Sequence, residues 1–270
     1  MRLRAIILLA AAALLYFRGQ SPARDLAEGL STLSTEVRSG SRALKRGIEE
    51  GAAARVAWRM SGPGVNLRFD PGVPEKIRLQ FSADLGFIAR IKGSGASDLH
   101  GKIFGRVHGL SYADFFGSRI KAVGLHSCGS PSATACVISR FPNKMWLTSN
   151  YRKFDRPQIL RMMVAFHEAR HTEAEHRNWP HARCPVPFLD GDGKEVRGRV
   201  TGISLAGKPA CDVTPLGAYG SSMIMVKNIS RFCSNCTDKV MMDAGLYADD
   251  QLKRIIDPEA KRSILDDLYR

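Results

Sequence analysis

One helical segment constrains the fold more than any other part of the 270-residue chain. Asp155 stands before Pro157 and Gln158, an order typical of a helix N-terminus, with a capping carboxylate, a proline in the first turn and an amide at the capping-box position. In residues 159–166 every residue but one is apolar, which favours burial on most sides. The sequence therefore predicts a buried helix from Arg156 to about His176, around which the other elements must pack.

Two histidines in this helix indicate a metal site. His167 and His171 are four positions apart, so both imidazoles project from one helical face and can bind the same ion. Glu168 is rotated by about 100° from His167. Its carboxylate can therefore reach a water molecule beside the ion without displacing a ligand.

The pattern His-Glu-Ala-Arg-His at 167–171 matches H-E-x-x-H, and here the chain resembles the zincin metallopeptidases. The resemblance covers mainly residues 135–220. It implies a Zn²⁺ cofactor, with Glu168 as the general base that activates water for hydrolysis of a peptide bond. It also implies that Lys144 to Thr148 forms the sheet edge that holds the substrate backbone. The expected fold class is α+β and zincin-like, with a small mixed or antiparallel sheet, a buried active-site helix and a disulfide-braced helical C-terminal part.

Beyond the motif the chain departs from the standard zincin groups. Metzincins continue with glycine and histidine where this sequence has Ala174 and Arg177. Gluzincins take a glutamate from a second helix, and no downstream segment shows the required pattern. Aspzincins use an aspartate before Tyr-Gly, which Asp212 and Tyr219-Gly220 resemble only with a longer spacing. The close family is therefore left open.

Two residues are candidates for the third metal ligand. His181 follows the break at Asn178-Trp179-Pro180, where the chain can turn back toward the ion. Asp212 adjoins Cys211, and a disulfide between Cys184 and Cys211 would hold both candidates in one neighbourhood. Whichever residue does not bind the ion is expected to orient an imidazole.

Three neighbouring side chains have open roles. Tyr219 is expected either to stabilise the oxyanion or to pack at the start of a helix. Arg170 is expected to bind a substrate carboxylate or to pair with Glu173 or Asp212. Glu175 lies four positions beyond His171 and eight beyond His167, which keeps it near the metal face, where it is expected either to support a ligand or to be merely solvated.

Six cysteines and a basic, apolar start predict an exported protein. Met1 to Arg4 is basic, and Ala5 to Phe17 is an apolar run. Such a helix spans about 20 Å, less than the hydrocarbon core, and is typical of a secretory signal. Residues 1–23 are interpreted as a signal peptide cleaved after Ala23, or as an uncleaved signal anchor. The protein is expected to be periplasmic, secreted or anchored by this segment.

An even number of cysteines in an exported chain predicts disulfides. Sequence proximity favours the pairs Cys128–Cys136, Cys184–Cys211 and Cys233–Cys236. The last pair forms a C-x-x-C between two predicted helices, where a structural disulfide is favoured over a redox motif or a zinc knuckle.

The charge balance bears on partners. Forty Lys and Arg residues against 26 Asp and Glu give a net charge of +14, which favours contact with polyanions. Export argues against nucleic acid, so an anionic cell-envelope polymer is the expected polymeric partner beside a peptide or protein substrate. Membrane contact is expected only through an uncleaved N-terminal segment.

Hydrophobic periodicity outlines the remaining organisation. Residues 24–60 are predicted to be a helical spacer or an N-terminal helical layer, and residues 61–270 the catalytic domain. Ser111 is predicted to cap a short helix. Strands are predicted at Val65–Phe69, Ile77–Phe81, Leu85–Ile91, Ala135–Ser139 and Lys144–Thr148, a hairpin at Phe188–Arg199, and helices at 220–232, 237–247 and 249–268.

The function most consistent with these patterns is that of an exported zinc metallopeptidase. Two alternatives stay open. One is a non-catalytic, basic, disulfide-braced protein that binds the cell envelope, and the other is a zinc amidase acting on peptidoglycan peptides.

Overall fold

A computed structural model describes residues 58–62, 64–131, 133–152, 156–199 and 201–270. Residues 57–270 form one compact unit. The predicted signal segment, most of the predicted helical segment 24–60, and the predicted N-cap Asp155 lie outside the described residues. No helix within the described ranges combines the length and apolar character needed to cross a membrane.

The described residues confirm a mixed α+β fold. Its seven strands are β1 Trp58–Gly62, β2 Val65–Phe69, β3 Ala122–Leu125, β4 Ala135–Val137, β5 Lys144–Leu147, β6 Ala182–Arg183 and β7 Pro209–Cys211. Its eight helices are α1 Glu75–Ile88, α2 Asp98–Phe104, α3 Gly109–Arg119, α4 Ser149–Arg152, α5 Gln158–Arg170, α6 Ala218–Phe232, α7 Asp238–Leu252 and α8 Pro258–Leu268.

Five strands form a mixed sheet in the order β1-β2-β3-β5-β4. β2, β3 and β5 are parallel, whereas β1 and β4 run antiparallel to their neighbours. The prediction that Lys144 to Thr148 forms the sheet edge is wrong, because β5 lies between β3 and β4. The chain folds back before β5, with Cys136 opposite Trp146, and β4 therefore becomes the edge.

Three local predictions are corrected near the N-terminus of this unit. The last residues of the predicted helix 24–60 belong to β1, which pairs with β2. The strands predicted at Ile77–Phe81 and Leu85–Ile91 lie mostly in α1. Residues i and i+4 share one face in a strand as well as in a helix, so Ile77 and Phe81 fit both structures. Leu79 would share that face only in a strand, and in α1 it is 57% exposed. The N-cap of α3 is His108, whose side chain accepts from the Leu110 N–H, and not Ser111.

Helix α5 lies at the centre of the fold, as predicted. It packs against α1, α3, α6 and β4, and Phe166 stacks on Phe115 with ring centroids 5.7 Å apart. The helix begins at Gln158 and not at Arg156, with Pro157 at the N-cap position predicted for Asp155 and no side-chain cap, and it ends at Arg170 and not near His176. A 3-10 turn at Ala174–His176 and three left-handed residues follow, which redirect the chain toward the helix end.

All three predicted disulfides are present: Cys128–Cys136, Cys184–Cys211 and Cys233–Cys236. The three predicted C-terminal helices are also present, as α6, α7 and α8, and the last two are separated at residues 253–257.

Residues 182–211 form a small insert. β6 and β7 close it as an antiparallel pair, and the Cys184–Cys211 disulfide joins its two ends. The predicted hairpin corresponds to a turn closed by the bridge between Leu189 and Glu195. A separate apolar cluster holds the insert together, formed by Cys184, Phe188, Val196, Leu205 and Cys211.

Candidate metal centre

Three imidazoles meet where α5 ends. The Nε2 atom of His171 lies 3.2 Å from Nε2 of His167 and 3.1 Å from Nε2 of His181. Nitrogen ligands at about 2.0–2.1 Å from a tetrahedral metal ion would lie roughly 3.4 Å apart. The structure therefore brings His181 to the predicted pair at a spacing close to that of a metal site.

The other ring nitrogen of each histidine has its own partner. His171 Nδ1 lies 2.8 Å from the carbonyl oxygen of Asn178, and His181 Nδ1 lies 2.9 Å from Oδ1 of Asp212. His167 forms a hydrogen bond with the backbone of Ala218. A carbonyl or carboxylate oxygen only accepts, so Nδ1 of His171 and of His181 carries a hydrogen, which leaves Nε2 of the neutral ring as the atom that can bind a metal.

Lone pairs that converge at 3.1–3.2 Å do not bond to one another, and a cation between them would satisfy all three. Burial first, and then His181, lowers the pKa of His171 to about 4. Burial also lowers the pKa of His167 well below its usual value. His167 and His171 are therefore neutral at pH 7, the form that binds metals, and a set of three imidazole nitrogens fits a divalent ion.

Asp212 stands behind His181 and not among the three Nε2 atoms. Its Oδ1 accepts a hydrogen bond from His181 Nδ1. Its Oδ2 accepts hydrogen bonds from the backbone N–H groups of Tyr219 and Gly220 at 2.8 and 3.3 Å. Those groups lie in the first turn of α6, where a carboxylate is favoured. Asp212 thus fixes the imidazole of His181 to the start of α6.

Glu168 lies beside the imidazoles and is 6% exposed. Burial raises the pKa of its carboxyl group to about 8, against the opposing effect of the Val137 backbone N–H. Val137 is the last residue of β4, so this hydrogen bond connects the carboxyl group to the sheet edge. A carboxyl group with a pKa near neutrality can both take up and return a proton.

Tyr219 packs against the imidazole cluster. Its ring centroid lies 4.3 Å from that of His167 and 4.5 Å from that of His181. Burial raises the pKa of the phenol, which keeps its hydroxyl group neutral and able to donate a hydrogen bond. The packing role is thus observed, and the role toward an oxyanion stays a prediction.

Glu173 holds the turn that delivers His181. Its carboxylate accepts from Arg119, Arg170 and Trp179 at 2.6–2.7 Å. Arg170 also donates to the carbonyl oxygen of Leu216, just before α6. Arg170 is buried by these contacts, so of its predicted partners it takes Glu173 and is not available to a substrate.

The early end of α5 removes two other residues from the site. Glu175 and His176 are exposed in the 3-10 turn, so of the two roles expected for Glu175 the solvated one is observed, and the helix does not continue far enough to keep it on the metal face. Two further groups of nearby ligand-type side chains are unsuited to an ion. One contains Cys128 and Cys136, which are disulfide-bonded, and the other depends on Glu173, whose oxygens are already paired.

A cleft of about 580 Å³ opens over the imidazoles, a size typical of ligand sites. Its lining includes residues of β4, residues of the insert, Tyr219 and Arg254. Sequence reasoning missed Arg254, because it follows α7 without any motif that would single it out.

Comparison of the chain with protein-family models, with curated proteins and with solved structures finds no match.

Proposed function

We propose that the chain is a zinc-dependent peptidase of the zincin type, in which His167, His171 and His181 bind zinc and Glu168 is the general base. One observation carries this proposal: the Nε2 atoms of three histidines converge in a cleft that a buried carboxyl group also lines. A purely structural histidine cluster would gain nothing from an adjacent carboxyl group and a cleft that admits a ligand.

Zinc bound by three nitrogens would supply Lewis acidity toward a peptide carbonyl and toward water. The residues of the chain would do the rest. Glu168 would take a proton from water and return it to the departing amine nitrogen. Tyr219 would donate a hydrogen bond to the oxygen that gains charge.

The sheet edge supports the choice of a peptide as substrate. Within the described residues β4 has a strand partner on one side only, and residues of β4 line the same cleft as Glu168. An extended peptide would add to this edge by backbone hydrogen bonds. An antiparallel edge strand next to the motif helix is also the arrangement expected of a zincin.

Export is part of the proposal. All six cysteines are paired in disulfides, and such bonds persist in oxidising compartments. The substrates that fit this setting are extracytoplasmic proteins or the peptides of a cell-wall polymer.

Metal content and hydrolysis together test the proposal. We expect about one zinc ion per chain by mass spectrometry, lost in His167→Ala and kept in Glu168→Gln and in the surface control His176→Ala. Wild-type protein and the surface control should cleave casein, and Glu168→Gln should not. Cleavage of peptidoglycan fragments without cleavage of casein would favour the amidase alternative. Wild-type protein without metal, or Glu168→Gln with full hydrolysis, would contradict both enzymes.

A further inference from the structure

Arg254 is a buried cation in the cleft and has no acidic partner among the described residues. Its side chain is 9% exposed and lines the cavity together with the imidazoles. Nη1 donates to the carbonyl oxygen of Ala210 at 3.3 Å, and the guanidinium lies 4.4 Å from the ring centroid of Tyr219. No carboxylate in the described part of the chain forms an ion pair with it.

The contrast with the other buried arginines is informative. Arg161 pairs with Asp84 and Arg170 pairs with Glu173, each at 2.6 Å. A buried guanidinium without a carboxylate is costly, and it persists where an anion from outside completes the site. Arg254 donates to a single carbonyl oxygen at a long distance, so most of its five N–H groups remain for a ligand.

Other residues that line the cleft are positively charged, as Arg254 is. Arg199 and Lys208 line the cavity beside Arg254. Glu168 is the one acidic residue among the described residues that line it, and its role is at the metal centre. The field in the cleft therefore favours an anionic substrate.

We propose that Arg254 binds a carboxylate of the substrate and so directs the enzyme toward acidic peptides. This inference rests on the proposed peptidase function and adds the chemical class of its substrate. A guanidinium accepts a carboxylate through two parallel hydrogen bonds. The carboxylate comes either from an acidic side chain or from a peptide C-terminus, and the two sources have the same chemistry at Arg254.

Binding to the full chain carrying Glu168→Gln tests the inference without turnover. Three fluorescein-labelled hexapeptides of otherwise equal sequence serve as probes: one with a glutamate and a C-terminal amide, one with a glutamine and a free C-terminus, and one with a glutamine and an amide. At least one charged peptide should bind about tenfold more tightly than the neutral peptide. The tighter one identifies the source of the carboxylate.

Adding Arg254→Met should abolish this preference and leave the neutral peptide within twofold. Arg254→Lys should restore part of it, since the charge returns without the planar pair of donors. The matched control Arg106→Met removes an exposed arginine outside the cleft and should keep the full preference. Zinc content and the thermal unfolding midpoint establish that each variant is folded.

Two results would overturn the inference: no preference for either charged peptide, or an equal loss for all three peptides in Arg254→Met. The second result would assign Arg254 to the packing of Tyr219. The two proposals fail separately. Wild-type protein that hydrolyses peptides without regard to their charge refutes only the role of Arg254. A preference that depends on Arg254, in a protein that hydrolyses nothing, refutes only the peptidase.

Discussion

At the scale of single residues, Asp212 has the most connections around the imidazoles. One of its oxygens accepts a hydrogen bond from the His181 ring, and the other accepts from a backbone N–H in the first turn of α6. We expect Asp212→Asn to weaken zinc binding by about 10- to 100-fold, because the neutral amide holds the His181 tautomer less firmly. Competition with a chromogenic chelator measures the zinc Kd. Asp192→Asn, an exposed change in the insert, is the control, and equal zinc affinities in the two variants would contradict this role.

His100 provides a pH-dependent contribution to stability, away from the metal centre. It is fully buried, and its Nε2 and Nδ1 lie within hydrogen-bond distance of the Tyr112 hydroxyl group and the Gly105 carbonyl oxygen. Burial lowers its pKa from 6.5 to about 4. The unfolded chain therefore binds more protons than the native protein in this window, and stability is lost as the pH falls from about 6.5 to 4.

The shift corresponds to about 3 kcal/mol of unfolding free energy between pH 7 and pH 4. In His100→Gln the loss over that range should be smaller by about this amount. Urea unfolding at several pH values measures it, with the exposed His176→Gln as the control. An unchanged pH dependence in His100→Gln would show that His100 is not the source of this loss of unfolding free energy.

Residue types at fixed spacing were the most informative part of the sequence. His167 and His171 are one helical turn apart, and a helix alone brings them together. His181 and Asp212 were named because a proline-containing break and a neighbouring cysteine suggested that the chain returns. Arg254 and Val137 could not be found, because only tertiary packing brings a residue after α7 and a short edge strand to the same cleft.

At the scale of elements, the turn after α5 depends on one carboxylate. Glu173 is buried among two arginines and the Trp179 indole. Arg177, Asn178 and Trp179 all have positive φ angles of 47–60°, a conformation that costs free energy for residues other than glycine. The contacts of Glu173 offset this cost and place the Asn178 carbonyl oxygen against His171.

We therefore expect Glu173→Gln to lower the unfolding free energy by about 3 kcal/mol, because two arginines lose their buried counter-charge. Zinc binding should weaken as well, since the turn positions Asn178 and His181. Glu175→Gln, two positions along in the same turn but exposed, should stay within about 0.5 kcal/mol of wild type. Urea titration and zinc competition measure both effects, and similar values for the two variants would exclude the proposed role of Glu173.

The elements that the sequence predicts correctly are those with an unambiguous period or a long apolar run. α5 was recognised from its apolar length, and β2 from strict alternation confirmed by its burial pattern. The sequence predicts strands in place of α1, because residues 77–81 fit both the strand period and the helix period. Only the position of Leu79 distinguishes the two periods. The end of α5 was placed too late because the interactions that end it come from Arg119 and Trp179, outside the helix.

At the scale of the whole molecule, the cleft is a product of three parts that are distant in sequence. The sheet edge supplies β4, the insert supplies further lining residues, and the segment after α7 supplies Arg254. The Cys128–Cys136 disulfide fixes β4, and the Cys184–Cys211 disulfide fixes the insert. The positions of these walls relative to α5 therefore depend on covalent links as well as on packing.

We expect residues 57–270 to fold as a self-sufficient unit, because the three imidazoles, their described partners and the cleft all lie within it. A chain that begins at Ala57 should bind zinc with the stoichiometry of the full chain and unfold in urea at the same midpoint. A chain that begins at Gly64 is the matched control. It lacks β1, leaves the paired edge of β2 open, and should unfold at lower urea while keeping the zinc ligands. Loss of zinc from the chain that begins at Ala57 would mean that the preceding residues support the metal centre.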